Sequence, residues 1–262
     1  MHFSLKLSVI DSCFARLHNR ATMRAIFIAD AHLNRPEDAN YRLLLDFIKE
    51  QHGKTDMLCI LGDLFDFRVG LASLNFAGHD KMLAALAALS RSGTRIIYLE
   101  GNHDFHLGKK FAALTGCELH RRPTEIRYDG KRIYLCHGDL INRSDLRYLL
   151  LYLLLHNRLT FFLAHLLPAR LLHRLRAYLQ KNSKKRYDKH QINWNYEEII
   201  RGFASKKHAN GYDAVVTGHF HLPFMEHENG FTLLSLGDWL GHFSYGCLEN
   251  GLFSLQVYPD RH

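Results

Sequence analysis

Cysteine is sparse in this chain, and what there is does not pair. Five are present, Cys13, Cys59, Cys117, Cys136 and Cys247. With an odd number and no Cys-x-x-Cys, neither a disulfide framework nor a thiolate zinc site is indicated. Cys59 and Cys136 lie inside apolar runs and read as small core hydrophobes in a reducing cytosol. No internal repeat or low-complexity stretch occurs, which excludes solenoids and arrays. Residues 1–22 lack the basic start, long apolar core and small-residue cleavage site of a secretory signal. The folded domain is expected over 23–262, with 1–22 an extension. An uninterrupted membrane span is also missing. Tyr148 to Leu167 approaches the roughly 20 apolar residues that cross a bilayer. His156-Asn157-Arg158 breaks it and Pro168 ends it, and a charge there is costly in hydrocarbon. Two short helices with a wide apolar face are expected, then a basic helix from Ala169 to about Lys181.

The chain has 262 residues, 47% hydrophobic and 23% charged, which suits one large globular domain or two small ones. Its basic charge is concentrated. Residues 141–190 carry a net +9 against +8 for the whole chain, so the remainder sums to −1. Such a field attracts phosphates, nucleic acid or an anionic membrane surface.

Strand and helix patterns alternate through the first half: strands at 24–29, 57–61 and 95–99, helices at about 37–51 and 80–90. This βαβ rhythm argues for an α/β sheet. Strands follow at 132–136 and, after an interruption at about 141–200, at 213–217, 222–227, 231–236 and 252–258. The mixture predicts two stacked sheets flanked by helices, with an inserted helical lid.

Five polar clusters carry the chemistry: Asp30-Ala31-His32, Gly62-Asp63-Leu64-Phe65-Asp66, Gly101-Asn102-His103-Asp104, His137-Gly138-Asp139 and Gly218-His219-Phe220-His221. Each follows a short apolar run, the pattern of a buried strand delivering a loop. Sheets gather such loops at the carboxyl ends of their strands. Carboxylate oxygens and imidazole nitrogens without thiolates suit a borderline divalent metal such as Mn, Fe, Co or Zn.

The order D-x-H, GD-x-x-D, GNHD, H and GH-x-H resembles the calcineurin-like metallophosphoesterase family across residues 24–258. The resemblance implies a four-layer αββα sandwich of two mixed sheets and a centre of two divalent metal ions, Mn2+ by expectation. Carried over position by position, it implies that Asp30, His32 and His221 hold one ion and that Asn102, His137 and His219 hold the other, with Asp63 between them. His103 is implied beside the phosphate, charged or donating a proton to the leaving oxygen. Asp66 is implied to orient that histidine, while Asp104 and Asp139 read as loop-holding residues. Two cations can bind a phosphate oxygen, activate a water and stabilise an in-line transition state.

Metal chemistry fixes the reaction type and leaves the substrate to the insert. Gly108-Lys109-Lys110-Phe111-Ala112, His137-Gly138-Asp139 and a basic stretch reaching Asn182-Ser183-Lys184 are similar to bacterial hydrolases of UDP-2,3-diacylglucosamine. That branch cleaves a lipid-linked sugar nucleotide in lipid A synthesis, releasing UMP, at the cytoplasmic face of the inner membrane. By this resemblance Asp145, Tyr148 and Ser183 contact substrate, His190 stands at a further contacting position, and Arg176 and Lys184 are candidate phosphate or sugar contacts against the alternative of a solvated basic helix face. Two departures stand out. His103 takes the place of an arginine, and Tyr187 and His190 take the places of an asparagine and a lysine. A broader phosphodiesterase or nuclease would use the basic insert to track a nucleic-acid backbone. However, residues 169–189 offer only Tyr178 and Tyr187 for base stacking, and the leucine-rich helices are then left without a role. A membrane-surface adaptor with a vestigial site conflicts with the complete ligand set.

Overall fold

Why the site loops meet is visible in the strand directions of the computed structural model, which describes residues 23–71, 77–168, 170–178 and 194–259. The chain opens with β1 (Arg24–Ile28), α1 (Ala39–Glu50), β2 (Met57–Ile60) and β3 (Arg68–Val69). Next come α2 (Asp80–Arg91), β4 (Arg95–Leu99), β5 (Asp104–Phe105), α3 (Gly108–Thr115) and β6 (Glu118–His120). Then follow β7 (Thr124–Tyr128), β8 (Lys131–Cys136), α4 (Leu146–Leu155) and α5 (Arg158–His165). The chain closes with α6 (Tyr196–Ala209), β9 (Ala214–Thr217), β10 (Pro223–Glu228), β11 (Phe231–Leu236), β12 (Ser244–Glu249) and β13 (Leu252–Val257).

The strands form a six-stranded sheet, β13-β12-β1-β2-β4-β6, and a five-stranded sheet, β10-β11-β9-β8-β7. Within the first, β1, β2, β4 and β6 run parallel, and within the second so do β8, β9 and β11. Parallel strands buried on both faces read as continuous apolar runs, which is why 57–60 and 214–217 carry no polar alternation. Alternate residues then serve different layers. Phe27, Cys59 and Ile97 face the second sheet and meet Ile133, Leu135, Val216 and Leu234. Ile26, Leu58 and Ile96 face the other way, against Tyr41, Leu44, Phe47, Met82 and Leu86 of α1 and α2. On the outer face of the second sheet, Val215 and Leu233 receive Ile200 and Ala204 of α6. The result is helix, sheet, sheet, helix. Cys59, Cys117, Cys136 and Cys247 are buried and free.

Helices α4 and α5 leave this sandwich between β8 and β9. Asp145 caps α4 by accepting from the Tyr148 amide at 2.9 Å, and Asn157 caps α5 by accepting from Leu159 at 2.7 Å. The break expected at 156–158 is therefore a helix end followed by a helix start. No helix among the described residues is long and apolar enough to cross a membrane. The helices pack on β3 and β5, a two-stranded sheet, where Phe67, Val69, Leu71 and Phe105 meet Leu155, Phe161, Ala164 and Leu172. The other face is bare: Leu146 is 73% exposed, Leu153 65% and Phe162 61%. Residues 170–178 continue as helix. Helix α6 begins inside the interval expected for the insert but belongs to the sandwich.

Candidate metal centre

The loops after β1, β2, β4, β8 and β9 meet at one end of the two sheets, held together largely through the backbone. His32 N–H donates to Asp63 O at 2.9 Å, Asp30 N–H to Gly62 O at 3.2 Å and Gly218 N–H to His137 O at 2.8 Å. Asp104 is the main staple: its buried carboxylate accepts from the amides of Asp63, Leu64 and Gly101 at 3.0, 2.8 and 3.0 Å. Close packing demands glycine at Gly101 and Gly218, where an added Cβ would strike the carboxylates of Asp63 and Asp30 respectively. Asp30, His32, Asp63, His219 and His221 all have positive φ, between 45° and 71°, a region that non-glycine residues seldom occupy.

Two donor sets result. Asp30, His32 and His221 offer one ligand atom each within 4.8 Å, and so do Asp63, His137 and His219. In the first set, Asp30 Oδ1 lies 3.7 Å from His221 Nε2 and 3.9 Å from His32 Nε2, with those nitrogens 3.3 Å apart. Asp30 Oδ1 is buried without a hydrogen bond. Burial pushes the Asp30 carboxyl up to about 6, against the pull of His221. A bare carboxylate oxygen facing two imidazole nitrogens is a cradle for a cation. In the second set, His137 Nδ1 donates to Leu61 O at 2.7 Å, which turns Nε2 toward Asp63 Oδ2 at 3.5 Å and Asn102 Oδ1 at 2.9 Å. Burial lowers the His137 pKa, but Asp63 overrides it and raises it well above the usual range. A divalent ion would take the place of that Nε2 proton. Asp63 also reaches the first set, its Oδ2 lying 4.0 Å from His32 Nε2. Burial drives His32 down to about 3 and His219 well below its ordinary value, so both present neutral nitrogens. The donors fit two divalent cations and contain nothing that would select a soft one.

The remaining sequence-derived residues fall in several places. His103 stands at the edge of the centre, its ring 4.8 Å from that of His32, its amide donating to Asp63 Oδ1 at 2.8 Å. Its Nδ1 bonds Asp66 at 2.7 Å through the main-chain carbonyl. The Asp66 carboxylate joins a cluster with His32 and His103 within 4.8 Å. Tyr148 donates its hydroxyl to Asp139 Oδ2 at 3.0 Å, with its ring 6.0 Å from that of His219. It thus ties α4 to the His137 loop. Asp145 is the cap of α4, and Arg176 lies over the Phe67 ring at 5.3 Å. Ser183, Lys184, Tyr187 and His190 lie outside the described residues, as does the 1–22 extension.

Two features escaped the sequence reading. Asp238, after β11, lies with its carboxylate 3.3 Å from His221 Nδ1. Its signal was available, since Gly237-Asp238 follows an apolar strand as Gly62-Asp63 does. The other is a chain of stacked rings that hangs the lid on the core. Tyr152 stacks on His156 at 3.9 Å, His156 on Phe105 at 4.5 Å, and His106 on Phe161 at 4.3 Å. Burial holds His156 at about 4, with His106 adding to the effect. A histidine depressed in the folded state is protonated first in the unfolded chain. Its share of stability is therefore complete above about pH 6.5 and drains as pH falls toward 4, at most about 1.4 kcal/mol per pH unit. Urea midpoints measured from pH 7.5 to 5 should fall, and His156→Phe, which keeps the stack, should flatten the slope. An unchanged slope would remove His156 from this account.

Comparison with known proteins agrees with this geometry. The family model for calcineurin-like phosphoesterase matches residues 23–223. The UDP-2,3-diacylglucosamine hydrolase of Haemophilus ducreyi is 31% identical over 218 residues, 83% of this chain and 92% of that protein. The enzyme of the same name from Neisseria gonorrhoeae is 31% identical over 239 residues, 89% of this chain and 97% of that one. Among solved structures, an archaeal phosphodiesterase superposes with a TM-score of 0.47 at 13% identity, covering 90% of this chain and 99% of that one.

Proposed function

Because the chain belongs to the calcineurin-like phosphoesterase family, whose members use a dinuclear metal centre, we propose that it hydrolyses the pyrophosphate of UDP-2,3-diacylglucosamine or a closely similar lipid-linked sugar nucleotide. UMP and an acylated sugar 1-phosphate would be the products, and Mn2+ the metal used. One observation carries the choice of substrate. A lid with an exposed apolar face is fastened to the metal loop itself, through Tyr148 to Asp139 and through the stack on Phe105. Apolar surface of that extent on a soluble domain marks a binding site. The relatives named for the same substrate support the reading.

Asp30, His32 and His221 would hold one ion, and Asn102, His137 and His219 the other, with Asp63 shared. When bound, the ions supply Lewis-acid polarisation of the phosphoryl oxygens and an activated water. The chain's own residues do the rest. His103, fixed through Nδ1 by the Asp66 carbonyl, presents Nε2 as the donor to a departing phosphate oxygen. Asp104 keeps the loops in register so that no rearrangement is needed when charge develops. Asp145, Tyr148, Arg176, Ser183, Lys184 and His190 are the proposed substrate contacts. The +9 of residues 141–190 complements an anionic inner-leaflet surface, where the substrate resides. The test is UMP release from UDP-2,3-diacylglucosamine with Mn2+, and again with chelator. Rapid release abolished by chelator is expected. Hydrolysis of bis-p-nitrophenyl phosphate alone would reject the lipid substrate and leave the broader phosphodiesterase.

A further inference from the structure

The turn after β11 touches the centre twice. Asp238 is buried, 5% exposed. Its Oδ1 accepts from the amides of Leu240, Gly241 and His242 at 2.8, 2.8 and 3.2 Å. Its Oδ2 faces two imidazoles, His242 Nδ1 at 2.8 Å and His221 Nδ1 at 3.3 Å. The next residue donates its amide to Asp30 O at 3.2 Å, and its indole is buried at 5.1 Å from the Phe47 ring. The carboxylate cannot swing, because three amides hold one oxygen and a core tryptophan anchors the turn. Its other oxygen, shared with His242 Nδ1, is therefore held against the back of His221.

We propose that Asp238 is a positioning residue for the Asp30–His32–His221 half of the centre. It holds a proton on His221 Nδ1 and so leaves the Nε2 lone pair facing Asp30 and His32. A neutral imidazole has one donor and one acceptor nitrogen, and an ionised carboxylate only accepts. A carboxylate behind a ligating histidine fixes the tautomer, fixes the ring and raises the basicity of the other nitrogen. The same turn sets Asp30 through its backbone, so one element orients two of the three donors. The inference rests on the metal reading above.

Asp238→Asn tests it, because asparagine keeps the shape and the oxygen for the three amides. Its NH2 then faces His221 Nδ1, makes that nitrogen an acceptor and moves the proton to Nε2, where it blocks coordination. Titration calorimetry with Mn2+ should find two sites in the unaltered protein. In the variant, one should persist and the other weaken by about 10- to 100-fold. In the Zn2+-loaded unaltered protein, imidazole 15N shifts should show His221 protonated at Nδ1, a measurement that stands even where the variant fails to fold. A folded variant with two sites of unchanged affinity, or an unprotonated His221 Nδ1 in the loaded protein, would overturn the proposal. No binding by the unaltered protein would instead overturn the metal reading, and with it this one.

Discussion

Asp63→Asn should lower turnover of a soluble diester such as bis-p-nitrophenyl phosphate by on the order of 10³-fold, about 4 kcal/mol, and reduce the bound metal. Asp63 is the carboxylate within reach of both donor sets, 3.5 Å from His137 Nε2 and 4.0 Å from His32 Nε2. Burial raises its pKa, but His137 and His103 outweigh that and hold it well below the carboxylate range. It is ionised at neutral pH and would supply charge to both cations. Asparagine retains an acceptor for the His103 amide, so the loop should keep its form and the far-UV spectrum should be native. Elemental analysis of the purified variant gives the metal count. Turnover near the unaltered level would show that the centre does not run through this carboxylate.

The second large effect is expected on the lid, and it is selective. Leu153→Glu with Phe162→Glu places charges on the bare faces of α4 and α5. Burying a leucine or phenylalanine side chain against an acyl chain contributes about 1.5–3 kcal/mol, so losing both contacts should reduce kcat/KM for the diacylated sugar nucleotide by at least about 100-fold. Hydrolysis of the soluble diester should stay close to its original rate, since neither side chain touches the metal loops. Kinetics on the two substrates, side by side, separate a lid that grips lipid from one that merely braces the fold. Equal loss on both would count against acyl-chain recognition.

The site was far more legible in the sequence than the elements around it. Each donor cluster follows a strand of four to six residues built on a short apolar run, and both pieces of that signal are local. Helix α6 was hidden because its buried stripe is narrow, Ile200 and Ala204. Strands β3 and β5 span two residues each, too short for any period. Strand β12 carries Gly246 at its centre, where a Cβ would collide with Leu234, and a glycine there reads as a break. Asp66 shows a different limit. The spacing of Gly62-Asp63-x-x-Asp66 points to a carboxylate, which does lie in one cluster with His103, but the backbone carbonyl of Asp66 also meets His103 Nδ1, a contact that any residue type could make.

The positive φ angles at Asp30, His32, Asp63, His219 and His221 bear on how such a site persists. Each left-handed backbone costs on the order of 1–3 kcal/mol unless its surroundings enforce it, and glycine relieves most of that strain. Mutational drift at these codons thus runs downhill in folding free energy, toward glycine or asparagine and away from coordination. A chain free of demand for hydrolysis would shed these residues and become more stable in doing so. Keeping all five donors therefore costs this fold stability that glycine at the same positions would return.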